Sequence, residues 1–276
     1  RHDYYRPTYI CNFQAVIGED GKVKHWHNKL LGPSLIAKGI EIFADAATPQ
    51  WMPRKLLATV GNFATSTDST SVEGAKDLPY SFDSIRVDYV SWDPGIPTGF
   101  WRSVGHSYTG FFVESFIDEI AHALKQDPLE FRLQHLAEHP RRRKLLELVA
   151  EKSGWRTRRQ GENGLYFGVA VHEAFATLVA QVAEVEMING AIKVRKVVCA
   201  VDCGLAINPD IVRAQMESGI VFGLSAALYG EISIEDGAVK QSNFHDYPVL
   251  RMGECPEIEV HIVEGGDAIT GVGEPG

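Results

Sequence analysis

Alternating apolar and polar residues mark strands at 9–16 and 22–28, joined as a hairpin across Gly18-Glu19-Asp20-Gly21. Residues 34–44 are mixed and take no assignment, whereas the Ser/Thr/Gly/Asp-rich stretch 65–74 reads as a loop. Strand alternation returns at 85–91, followed by an irregular loop at 92–100 that contains Pro94, Gly95, Pro97 and Gly99. A helical repeat at 110–123 has Phe111, Phe112, Ser115, Phe116, Glu119 and Ile120 in register and predicts a largely buried helix. Asp127 as N-cap, Pro128 at the first helical position and Glu130 at the third open a second helix. A third helix covers 141–153 and is closed by Gly154.

Beyond a polar linker at 156–163 the pattern turns to strands, at 166–171, 179–187 and 191–201. Asn189-Gly190 joins the last two and is the best single hairpin signal in the chain. A long helix at 209–228 has Asn208 as cap and Pro209 at its first position. A second short hairpin, 231–234 with 238–241, turns at Asp236-Gly237, and 258–263 is a final alternating strand. The expected fold is therefore α+β, a mixed α/β chain with two lobes of sheets and packed helices, 1–160 and 161–276.

Composition narrows the class. The 276 residues suit one large or two ordinary domains, and 45% apolar with 23% charged is ordinary globular usage. Collagen, coiled coils and disordered tails are disfavoured on that basis. The longest apolar stretch, around 220–229, is far shorter than the roughly 18 residues a membrane span requires. Lys and Arg number 27 against 36 Asp and Glu, and the resulting −9 argues against binding a nucleic-acid backbone. The start at Arg1-His2-Asp3 without Met, and the stop just after Glu274, lead us to expect a piece of a longer chain whose compartment stays open.

The cysteines lack zinc spacing; Cys199 and Cys203 share a strand face and read as buried structural thiols. His25 and His27 share one face with no third ligand at useful spacing, which makes them a surface pair. Arg141-Arg142-Arg143 reads as a solvated face rather than an anion site. No G-x-S-x-G, H-E-x-x-H, P-loop or G-x-G-x-x-G is present, which disfavours serine hydrolases, zincins and nucleotide hydrolases.

Three places break the local rules. Residues 100–106 stand between a Pro/Gly-rich loop and a helix start, where Arg102 and the helix's positive end could hold an anion or Arg102 could simply cap a carbonyl. Gln215 lies on or beside the packed face of the long helix, as a structural amide or a ligand contact, with Ser218, Gly219 and Gly223 allowing a close approach by backbone or a flat ligand. Residues 271–276 (GVGEPG) present Glu274 from a glycine-rich loop, solvated or, if desolvated, poised for proton transfer.

Taken in order, WRSVG at 101–105, GFFVESFIDEIA at 110–121, AEVE at 183–186, DCGLAINP at 202–209, residues 215–219 and GVGEP at 271–275 resemble the molybdenum-binding large subunit of the xanthine dehydrogenase and aldehyde oxidase family. DYYRP at 3–7 is similar to the isoquinoline 1-oxidoreductase type of β-subunit, a bacterial type of oxidoreductase. The resemblance implies an incomplete molybdopterin-binding domain, with Glu274 as the general base toward metal-bound water. It places Arg102, Ser103, Val104 and Gly105 on the cofactor loop, Gln215 on the pterin-contacting helix and Gly273 beside the base. It further implies a molybdenum–molybdopterin cofactor in the cytosine dinucleotide form and iron–sulfur clusters on a small partner subunit. The substrate would be an N-heterocycle or aldehyde; no side-chain metal ligands, nucleic acid or membrane span are implied.

The family's Met-Gly-Gln-Gly segment is absent from this chain, so the chain alone is expected not to hold the cofactor. Val104 stands where xanthine-type relatives carry a stacking aromatic, which argues against a purine substrate. The residues themselves leave open a folding or subunit-docking domain, or a different cofactor in the same cleft.

Overall fold

A computed structural model describes residues 4–47, 68–265 and 268–276. Asp3 of the DYYRP motif and residues 65–67 of the expected loop lie outside them. Two compact units emerge, Arg1–Ala137 and Glu138–Gly276.

In the first unit, β1 (Ile10–Ile17) and β2 (Val23–Gly32) form the expected antiparallel hairpin, and β3 (Ile85–Ser91) joins β2 in parallel. The unassigned stretch becomes helix α1 (Leu35–Ala47), and Ser69–Val72 is a short 3-10 turn capped by Asp68. Trp26 is buried on β2, packed edge-on to Phe13 and Phe116. Its indole nitrogen donates to Asn28 Oδ1 at 2.9 Å, which removes the cost of burying that N–H.

Helix α2 (His106–Ala123) starts four residues before the expected position. Its buried stripe is Val113, Glu114, Ile117, Ile120 and Ala121, while Phe111 is 70% exposed. Of the expected repeat, Ile120 is buried and Phe116 packs on Trp26 and Phe13, whereas Phe111 and Glu119 are exposed: a helical repeat shows that one face is apolar, but neighbouring elements set its limits. Helix α3 (Pro128–His135) opens as expected, with the Asp127 carboxylate accepting from the amides of Leu129 and Glu130.

The α2–α3 pair is held by Arg132, which has no exposed surface. Its Nε donates to Glu114 Oε2 at 2.9 Å and its Nη1 to Asp118 Oδ1 at 2.5 Å. Two further bonds go to the carbonyls of Pro128 and Glu114, both at 3.0 Å. Tyr80 donates to the other Glu114 oxygen at 2.7 Å, and burial together with that carboxylate pushes its phenol pKa well up.

The second unit is a four-stranded sheet in the order β4 (Leu165–Ala174), β5 (Thr177–Ile188), β6 (Ala191–Asp202) and β9 (Glu257–Ile262). The first three are antiparallel, and β9 lies parallel to β6. Asn189 and Gly190, both at positive φ, make the expected β5–β6 turn. The hairpin β7 (Ile234–Glu235) and β8 (Ala238–Val239) turns at Asp236-Gly237 and is shorter than expected. Helix α4 (Pro140–Ser153) ends on Gly154 at φ 71° and buries Leu145, Leu146, Val149 and Ala150. That face packs on β4–β6, so the helix belongs with the sheet and the division falls at 137/138, ahead of the expected 160. Helix α5 (Pro209–Leu228) has the expected bounds and the Asn208 cap. No helix among the described residues is long and apolar enough to cross a membrane.

Replacing Arg132 with Met leaves Glu114 buried without its counter-charge. The expected cost is about 3–5 kcal/mol of stability, read from the urea unfolding midpoint; a loss under about 1 kcal/mol would contradict it.

Candidate functional site

The loop before α2 follows an unusual backbone path. Ser103 at φ 75° and Val104 at φ 49° are both left-handed, a costly region for a β-branched residue. Nearby bonds hold that path: the Val104 amide donates to the Trp101 carbonyl at 2.9 Å and the Ser107 hydroxyl to the Val104 carbonyl at 2.8 Å. Gly105 has no room for a side chain, because a Cβ there would lie 2.0 Å from the Thr70 carbonyl oxygen. Only glycine lets the loop settle onto the Ser69–Val72 turn.

That seat is itself pinned. The Thr109 hydroxyl donates to the Glu73 carbonyl at 2.5 Å and the Tyr108 hydroxyl to the Ser71 carbonyl at 2.8 Å. Asp68 is buried, and although burial pulls its pKa up, bonds from Ser34, Thr70, Ile36 and Ser71 outweigh this and hold the carboxyl below its usual range. Glu73 faces His106 at 3.9 Å, and burial raises its carboxyl pKa against the opposing charge of Lys76. Arg102 is half-buried, with Nε and Nη2 inside the protein, and Arg6 stacks over Trp101 at 5.5 Å. Most junction amides expected to be available are engaged: those of Ser107, Tyr108 and Thr109 bond back to Val104 and Gly105. Positive features at this end include the Arg102 side chain, Arg6, which also donates to the Ser107 carbonyl at 3.3 Å, and the start of α2.

The other two sequence-marked places lie in the second unit, which brings them together. Gln215 is half-buried beside the α5 stripe of Val212, Met216, Gly219 and Ile220. A Cβ on Gly219 would lie 2.5 Å from the carbonyl carbon and oxygen of Gly276, so the glycine-rich loop rests directly on this helix. The close approach expected at Gly219 is therefore taken by backbone, while Gly223 faces open space. Val272 packs against the apolar cluster that contains Val179, Cys199, Cys203, Val212 and Met216. The Thr270 amide donates to the Cys203 carbonyl at 3.0 Å, and the Thr177 hydroxyl donates to the Gly271 carbonyl at 2.8 Å. Glu274 is half-buried, and a Cβ on Gly271 or Gly273 would meet nothing within 4 Å, so the loop's backbone can be approached there.

Other candidates are absorbed by structure. Cys199 and Cys203 are buried, and burial pushes the Cys199 thiol up to about 12. His27 does meet a carboxylate, Asp88 of β3 at 2.8 Å, which its own strand could not reveal. The three arginines are ion-paired, Arg141 with Asp202 at 2.7 Å, Arg142 with Glu173 and Arg143 with Glu147 at 3.5 Å, which replaces the expected solvated face. Asp202 also accepts from the Gly204 amide at 3.0 Å; burial raises its pKa, but these two partners hold it below the usual carboxylate range. Among the described residues no group of three or more His, Cys, Asp or Glu side chains could hold a metal ion. Reading the sequence missed Thr177 and the Thr70–Glu73 seat. Asp68-Ser69-Thr70-Ser71 does carry a turn-capping signal, but nothing local marks Thr177, whose partner is 93 residues away.

Residues 88–256 match the family model for the molybdopterin cofactor-binding domain. The chain is 37% identical over 233 residues to the beta subunit of isoquinoline 1-oxidoreductase from Brevundimonas diminuta, covering 83% of this chain and 30% of that protein. It is 31% identical over 200 residues to a nicotinate dehydrogenase subunit of Pseudomonas putida, covering 66% of this chain and 17% of that one. Its fold matches 57% of a chain in the crystal structure of quinoline 2-oxidoreductase from Pseudomonas putida 86, with a TM-score of 0.69, 13% identity and 99% of this chain covered. The chain thus spans about a third or less of these two curated relatives.

Two outcomes follow from this geometry. Gly105→Ala should displace the 102–105 loop and cost about 2 kcal/mol or more, since backbone meets backbone; an unchanged unfolding midpoint would contradict the seat. Because the folded pKa of Asp202 is depressed, its contribution is complete above about pH 4 and is lost as pH falls through the lower folded value. Asp202→Asn should therefore lower stability at neutral pH and flatten the acid limb of the stability curve, measured by urea unfolding across pH.

Proposed function

The chain belongs to the family of molybdopterin cofactor-binding domains, and from that premise we propose that it is part of a molybdenum hydroxylase. The substrate is an N-heterocycle or an aldehyde, oxidised at an electron-poor carbon with oxygen derived from water. The relatives' names support the first class: isoquinoline, nicotinate and quinoline are all N-heterocycles. The cofactor is the molybdopterin cytosine dinucleotide form, and electrons leave to iron–sulfur clusters on a small partner subunit. That two relatives are themselves named as subunits supports a multichain enzyme.

The residues present fit such a group. Open space at Gly271 and Gly273 leaves their backbone approachable, and the donors on hand are a guanidinium at Arg102 and an amide at Gln215. These suit phosphate oxygens and the ring heteroatoms of a pterin. When bound, the cofactor supplies the metal-centred two-electron oxidation.

The chain's own part is to bind and to move a proton. On this reading Arg102, Ser103, Val104 and Gly105 are the cofactor-binding loop, which the left-handed Ser103 and Val104 and the close seat of Gly105 on Thr70 support. On the same reading Gln215 and Gly273 are cofactor-binding residues. Glu274 is the catalytic base, taking a proton at its carboxylate from the attacking water. The observation that carries this reading is a half-buried glutamate on a glycine-flanked loop anchored through Thr270 and Gly271.

In the complete enzyme, Glu274→Gln should retain molybdenum while kcat falls about 10²–10⁴-fold. Metal analysis and steady-state turnover check this, and turnover near the wild-type rate would overturn the assignment.

A further inference from the structure

We infer that Thr177 is a positioning residue for the Glu274 loop, delivered to it by a strained hairpin turn; this rests on the reading of Glu274 as the base. Thr177 opens β5 and is fully buried. Its hydroxyl has one proton, and the Gly271 carbonyl at 2.8 Å can only accept, so the proton goes there. The Thr177 oxygen then accepts from the Thr270 hydroxyl at 2.6 Å. One side chain therefore grips two successive loop residues, three and four positions before Glu274.

The turn that presents it is unusual. Phe175 at φ 51° and Ala176 at φ 64° are consecutive left-handed residues without glycine. Such two-residue turns favour Asn-Gly or Asp-Gly, and both other hairpins of this unit use them, at Asn189-Gly190 and Asp236-Gly237. A costly turn survives where its surroundings over-determine it, and here the long β4–β5 ladder on one side and the Thr177 bonds on the other supply that constraint. The third anchor, from the Thr270 amide to the Cys203 carbonyl, ties the same loop to the end of β6. Without the hydroxyl the Gly271 carbonyl loses its donor, and the loop is free to shift the carboxylate it carries.

The test uses the complete enzyme. Thr177→Val removes the hydroxyl at nearly constant shape. It is expected to speed hydrogen exchange at residues 270–272 about tenfold and to lower kcat about tenfold or more, with KM and molybdenum content within about twofold. Thr177→Ser keeps the hydroxyl and should stay within about threefold of wild type in both readouts. If the Val variant does not fold, Thr177→Cys, similar in size but a weak donor, carries the same expectations. Unchanged exchange, unchanged kcat, or equal losses in the Ser variant would overturn the inference. Measured alongside, an inactive Glu274→Gln confines such a failure to Thr177, whereas an active one removes the reading of Glu274 and this inference with it.

Discussion

A guanidinium with no exposed surface must find all of its counter-charge and hydrogen-bond acceptors inside the fold. Arg132 does so through Glu114, Asp118 and two backbone carbonyls, and Tyr80 completes the carboxylate it leaves half-satisfied. Unpaired, that charge would cost several kcal/mol; paired, it fixes the angle between α2 and α3. The N-terminal end of α2 is where the left-handed loop of Ser103 and Val104 is displayed, so the network bears on the loop's placement as well as on the core.

The second unit meets an equivalent demand with neutral groups. A glycine-rich loop has few side chains with which to bury itself, so its backbone must be gripped. Val272 supplies one apolar anchor, Gly219 gives the loop a place to lie against α5, and Thr177 and the Cys203 carbonyl hold its polar groups. The glycines at 271 and 273 remain open to approach, which is the property a bulky planar ligand needs from the backbone beside it. Anchoring and access are compatible because the anchors use the backbone of Thr270 and Gly271, the Val272 side chain and the contact of Gly276 with Gly219, while the Cβ positions of Gly271 and Gly273 stay clear.

The family match explains why the motifs are scattered. WRSVG, the 215–219 stretch and GVGEP are separate in sequence because each is a short loop or helix segment mounted on a different element. None is specific alone; their order is what carried the resemblance. The departure at Val104 is matched by the structure's own oddity there, a β-branched residue at positive φ.

What the sequence determined by itself was local. Asp127-Pro128 and Asn208-Pro209 set helix starts, Gly154 set a helix end, and Asn189-Gly190 set a turn, because caps and turns act within about four residues. Tertiary structure alone decided the limits of the buried face of α2, that β3 and β9 join their sheets in parallel, and that α4 belongs with the second sheet. It also decided that Thr177 meets residues 270 and 271. Those outcomes depend on pairings between residues tens of positions apart, and no local preference encodes the partner of a buried hydroxyl or the neighbour of an edge strand.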